Sequence, residues 1–165
     1  MKRIVTFIAG SVLTLSLCGQ QVEVVKVNHS QEFGFHAGAT TGVGLSYRFW
    51  PGKNGVQLTA LPIKTDDYIF VNLGLTGLHT FYDSNYFRFF GYLGSSLAVN
   101  GGSLDTYADS DNTYDKTTKL NLGIGPGFAF GSRVRFNIMA GYGFYDVLGQ
   151  FDIYPTGEIG LYFRL

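Results

Sequence analysis

"KLNLGIGPGFAFGSRVRFNIMAGYGFYD", Lys119 to Asp146, contains two residue sets taken alternately. One set is Leu120, Leu122, Ile124, Pro126, Phe128 and Phe130; between them stand Lys119, Asn121, Gly123, Gly125, Gly127 and Ala129. After Gly131-Ser132 the pattern restarts, with Val134, Phe136, Ile138, Ala140, Tyr142 and Phe144 set against Arg133, Arg135, Asn137, Met139, Gly141 and Gly143. A period of two over this length is the pattern of a β-strand with unlike faces, and a two-residue join makes the pair a hairpin. Which face is the inside decides what kind of environment the protein occupies.

The same pattern recurs outward from this hairpin. Eight strand-like runs are predicted: 31–39, 42–50, 55–64, 68–82, 86–100, 116–130, 133–146 and 156–165. They are separated by Gly-, Pro-, Asn- and Asp-bearing joins such as "PGKN", "TDD" and "DSN". No segment has a helical period. Pro62 and Pro126 fall within runs and imply an edge or a bulge there. With the first strand rising, the joins 51–54, 83–85 and 131–132 share one end and are short, whereas 101–115 and 147–155 at the other end are the longest.

Composition narrows the class. The 165 residues are 15% charged, against roughly 25% in soluble domains, with 16% aromatics and 23 glycines. Downstream of the N-terminus no run of apolar residues is long enough for a spanning helix. Met1-Lys2-Arg3 followed by "IVTFIAGSVLTLSL" is the pattern of a secretory signal over 1–18, cut near Gly19, with 19–30 as a leader and 31–165 as the folded domain. Cys18, the sole cysteine, excludes a disulfide framework and is expected to leave with the signal rather than carry lipid, because Leu17 precedes it. Loss of Lys2 and Arg3 leaves the chain slightly acidic, without a basic stripe for nucleic acid.

Three features assign the faces. The less apolar face is built of Gly, Ala, Asn, Ser and scattered Arg, poor material for a water-facing sheet but suited to the narrow lumen of an eight-stranded barrel. Aromatics gather at strand ends: Tyr47, Phe49, Trp50, Phe81, Tyr82, Tyr86, Phe87, Phe89, Phe128, Phe130 and Phe163 form an expected girdle at one membrane interface. The chain also ends inside a strand, "GEIGLYFRL", as closure against the first strand requires. The expected fold is therefore all-β: a closed antiparallel eight-stranded up-and-down transmembrane β-barrel, oily outside and polar within.

From about Gln31 to Leu165 the chain resembles the small eight-stranded outer-membrane barrels of the OmpA/OmpX transmembrane type. The resemblance rests on the signal segment, the alternating hairpins and the aromatic-rich last strand ending "YFRL". Members of that group usually end in Phe, whereas Phe163 here is third from last. The resemblance implies a Gram-negative outer membrane with both mature termini in the periplasm, and it names no activity.

Alternation places Glu32, Arg48, Arg88, Lys119, Arg135, Glu158 and Arg164 on the lumen face, and buried charges must pair or be hydrated. A lumen plug is expected in which Glu32 contacts Arg48 or Arg164. An anion-conducting constriction is the functional counterpart. Asp105, Asp109, Asp111 and Asp115 lack the glycine and closing glutamate of a calcium loop and are expected to be a solvated acidic loop. His29, His36 and His79 have no serine placed beside them by alternation, and no nucleotide, hydrolase or metal motif appears. No catalytic, cofactor or metal residues are expected. The function read from the sequence is structural or adhesive. Its partners are outer-membrane lipid and an extracellular or envelope protein met by loops 101–115 and 147–155. The alternatives are a narrow pore or transporter-accessory barrel, and a secreted lipocalin-like binder with the faces swapped.

Overall fold

The computed structural model describes residues 30–65, 68–103 and 114–165. The expected signal and most of the leader, with Cys18 and His29, lie outside the described residues, as does the centre of the acidic loop with Asp105, Asp109 and Asp111. Eight strands run in order: β1 (Ser30–Gly38), β2 (Gly42–Trp50), β3 (Asn54–Lys64), β4 (Tyr68–Asp83), β5 (Phe87–Ser103), β6 (Tyr114–Phe130), β7 (Val134–Tyr145) and β8 (Asp152–Arg164). Each pairs antiparallel with its neighbours, and β1 closes on β8 through Glu32↔Arg164 to Ala37↔Ile159. Closure satisfies the backbone without leaving a sheet edge, which is what a span across lipid demands.

Burial settles the faces. Along β1 every second residue is buried, Glu32, Gly34 and His36 facing in while Phe33, Phe35 and Ala37 face out. On the same pattern Leu58, Leu75, Leu93 and Ile159 are exposed, and Arg48, Arg88, Arg135 and Glu158 are 1% exposed. The exterior is oily and the buried interior is mainly polar, with one apolar cluster of Trp50, Leu78, Phe90, Tyr92, Ala129 and Met139. On β8, Phe163 and Tyr154 stand nine positions apart. That is about 30 Å along a strand, or about 22 Å along the normal at a tilt near 40°. At that upper level Phe144, on the outward parity of β7, stacks on Phe151 at 6.0 Å, an aromatic pair unanticipated from the sequence, whereas Tyr145 and Tyr154, 6.2 Å apart, share the parity of the lumen residues and rim the bore.

Both prolines sit where the ladder allows them. Pairing of β2 with β3 stops at Ala60, so Pro62 is bonded only towards β4. Pro126 falls in a gap of the β6–β7 ladder, between Ile124↔Tyr142 and Gly127↔Met139. The ends of several strands depart from the sequence reading. β8 begins at Asp152 rather than 156, β5 and β6 reach further, to Ser103 and Tyr114, and Tyr86 lies in a turn.

One irregularity directs the site. The β4–β5 register slips between Thr80 and Tyr82, so Phe81 is an extra residue. Both Phe81 and Tyr82 face out, and Asp83 turns inward, out of phase with Thr76, Leu78 and Thr80. Bulges commonly re-aim a side chain in this way. Deleting Phe81 is expected to remove the bulge and restore strict alternation with Thr80 inward, Tyr82 outward and Asp83 inward, because Tyr82↔Phe89 and Asp83↔Arg88 already keep the register beyond it. The deletion variant should then keep the heat-resistant compact band on a cold gel; complete loss of that band would refute the assigned phase.

Candidate functional site: a lumen packed at two levels

At the end where β1 begins and β8 finishes, Asp83 receives Arg88 through two bonds, Nε at 3.0 Å and Nη2 at 2.8 Å. Glu32 takes Arg88 Nη1 at 3.3 Å and lies 3.6 Å from Arg135 Nη1. Arg135 also lies 3.7 Å from Asp83. Two acids thus hold two arginines across the bore. The expected contact of Glu32 with Arg48 or Arg164 is corrected. Those residues are its backbone partners on the adjoining strands, but the carboxylate reaches across the lumen to β5 and β7. In an eight-stranded barrel the opposite wall is within reach of a long side chain.

Arg48 uses no acid. Its Nε donates to Gln57 Oε1 at 2.6 Å and its guanidinium lies 3.8 Å over the Tyr162 ring, whose hydroxyl donates to Ser46 at 3.0 Å. Cation–π contact with dry rings offsets part of the cost of the buried charge. Trp50 is a second correction. It is 0% exposed, meets Phe90 edge-on at 5.8 Å and carries Arg88 4.3 Å above its ring. Trp50 shares parity with Ser46 and Arg48, so it closes the lumen while Tyr47 and Phe49 remain in the girdle. Lys119, expected in the lumen network, is exposed at the far rim, and Arg164 is half-buried at the opposite end.

The outer aromatic assignments sort by exposure. Phe81, Phe128, Phe130 and Phe163 face out, and Phe89 stacks on Phe128 at 5.1 Å with Phe87 against Phe130 at 5.3 Å. The buried Phe90, Tyr92, Met139 and Tyr162 were missed as lumen residues, although counting by twos from Arg88, Arg135 and Glu158 finds all four.

The second level is main chain. The β1–β2 tip, Ala39–Thr41, folds into the bore, and both threonines are 0% exposed. Glu158 accepts from the Thr40 amide at 3.2 Å and from the hydroxyls of Thr40 and Thr41. His36 Nε2 meets Thr41 Oγ1 at 2.6 Å and Glu158 at 3.5 Å. Ser96 and Asn121 donate to the Ala39 carbonyl at 2.6 and 3.0 Å, tying the tip to β5 and β6. The glycines make this possible: a Cβ on Gly123 would stand 2.0 Å from Thr40 Oγ1, and one on Gly74 would stand 1.9 Å from the Thr41 carbonyl oxygen. Gly42 supplies the bend at φ +93°. The small lumen face read from the sequence therefore serves as the socket for a hairpin tip. His36 presents one ring nitrogen to both the Thr41 hydroxyl and the Glu158 carboxylate, and among the described residues its Nδ1 has no hydrogen-bond partner.

A closed barrel with an oily wall, an aromatic girdle at one end and a largely polar, hydrogen-bonded core is a membrane-spanning β-barrel. Among solved structures it is similar to the N-terminal β-barrel domain of Pseudomonas aeruginosa OprF (12% identity, TM-score 0.47, 83% of this chain and 96% of that one). It is also similar to Ail, the attachment invasion locus protein of Yersinia pestis (18%, 0.48, 86% and 100%). Neisserial surface protein A is a third such structure (17%, 0.44, 83% and 95%). At these values the likeness is one of fold. No protein-family model and no curated protein matches the sequence.

Proposed function

We propose that the chain is an integral outer-membrane barrel of a Gram-negative cell, with both termini periplasmic, a sealed lumen and a structural or adhesive role. Its contact surface would be the loop end, segments 101–115 and 147–155. The reading rests on the two-level packing: four buried charged side chains and the Trp50–Phe90 pair close one half of the bore, and the buried β1–β2 tip closes the other. A barrel shut twice is built to hold a surface in place rather than to pass solutes. Ail carries attachment in its name and has been crystallised in complex with the heparin analogue sucrose octasulfate.

In planar bilayers the purified barrel should show no stepwise current. Clean ohmic steps would favour the narrow-pore reading instead. An epitope inserted at 104–113 should be stained by antibody on intact cells; staining only after permeabilisation would reverse the assigned orientation.

A further inference from the structure

Lipid-facing barrel walls are normally filled by alternating large apolar side chains. Here a groove of about 660 Å³ interrupts the wall across β3 to β6. Its outward-facing floor is Gly77, with Gly91 covered by the Phe81 ring, and its sides are Leu93, Ile124 and Pro126. A Cβ on Gly77 would meet nothing nearer than the Leu93 carbonyl oxygen at 3.8 Å, so the space is unfilled rather than forbidden. At the mouth, towards the terminal end, His79 Nδ1 is hydrogen-bonded to Asn54 Oδ1 at 2.7 Å, with the imidazole edge-on to Phe81 at 5.3 Å. Among outward-parity residues of the strands whose side chains are described, His79 and Lys64, the latter at the far end of β3, are the only acids, bases or histidines. An ionisable group facing lipid is expensive and points to function.

We propose that this groove is a phospholipid-binding site, holding one acyl chain over Gly77 with the lipid headgroup against His79 and Asn54. The proposal rests on the membrane-spanning reading of the barrel. Water does not suit the groove, because its walls offer almost no hydrogen-bond partners. A void there would forfeit dispersion contacts along its whole lining, and a single flexible chain recovers them. The polar pair adds direction. Since Asn54 Oδ1 accepts the Nδ1–H, the Asn54 amide N–H remains to donate to a phosphate or ester oxygen, and Nε2 of the neutral ring remains to accept from a headgroup ammonium or hydroxyl. A second copy of the chain fits poorly, because a two-fold contact would set this concave patch against itself.

The test uses the folded barrel in nanodiscs of phosphatidylethanolamine and phosphatidylglycerol, released into detergent and read by native mass spectrometry. The wild type should retain one phospholipid. Gly77→Leu, which fills the groove without a backbone clash, and His79→Leu should each lower the retained fraction about tenfold, the first through lost chain packing and the second through the lost headgroup bond. Heat-modifiable gel mobility should be unchanged, showing that both variants fold. Equal retention by wild type and Gly77→Leu would overturn the proposal, as would a wild type that carries no phospholipid or a groove occupied by a second barrel. A barrel that proves stable in plain buffer would instead defeat the membrane reading itself.

Discussion

Glu32→Ala should lower the unfolding free energy of the lipid-reconstituted barrel by about 3–5 kcal/mol, read from urea titration of tryptophan fluorescence. The carboxylate is 1% exposed and compensates Arg88 and Arg135 together. Its removal leaves two guanidinium groups sharing Asp83 alone, in a space too small to hydrate them. The signature is non-additivity. Glu32→Ala combined with Arg135→Met should cost clearly less than the sum of the two single changes, because the second substitution removes a charge that the first left stranded. Additive losses would mean that the network is not coupled, and a loss below about 1 kcal/mol would put Glu32 among solvated surface pairs. Trp50, lying under Arg88, makes its fluorescence a local reporter of the same cluster.

The second large effect concerns Glu158→Ala. The Thr40 amide and the hydroxyls of Thr40 and Thr41 all donate to this one carboxylate, with His36 beside it. Each buried donor left without an acceptor costs about 1–3 kcal/mol. The tip is expected to leave its socket rather than bear that cost in place. Amide exchange should therefore lose protection at Thr40, while Val43, whose N–H donates to Asn72 Oδ1 at 2.8 Å, should stay protected. Equal protection at Thr40 in both proteins would show that the tip is held by its packing and by the Ala39 carbonyl bonds instead. The first level of packing, at the Trp50 end, should remain shut in this variant, so bilayers should still show no steps.

Alternation by twos was sufficient to give the number of strands, their antiparallel order and the outward direction of Phe33, Leu58, Leu75, Ile124 and Leu161, because side chains on a strand change face at every residue. The same rule would have placed Trp50 in the bore, since it shares parity with Arg48; a composition argument about aromatics at strand ends overrode it. Asp83 was beyond the rule altogether. A bulge at Phe81 changes the phase of β4, and nothing in "LHTFYDSN" marks the extra residue.

Local sequence determined the wall of this protein, and only closure decided its interior. Whether Glu32 reaches along the sheet to Arg48 or across to Arg88 depends on the diameter of a closed ring, a quantity that no single strand contains. The β1–β2 tip likewise enters the lumen because Gly74, Gly94 and Gly123, distant in sequence, bring their bare backbones to one level of the bore. Periodicity is a property of neighbours along the chain, whereas the charge network and the plug are properties of residues that meet only when β8 returns to β1.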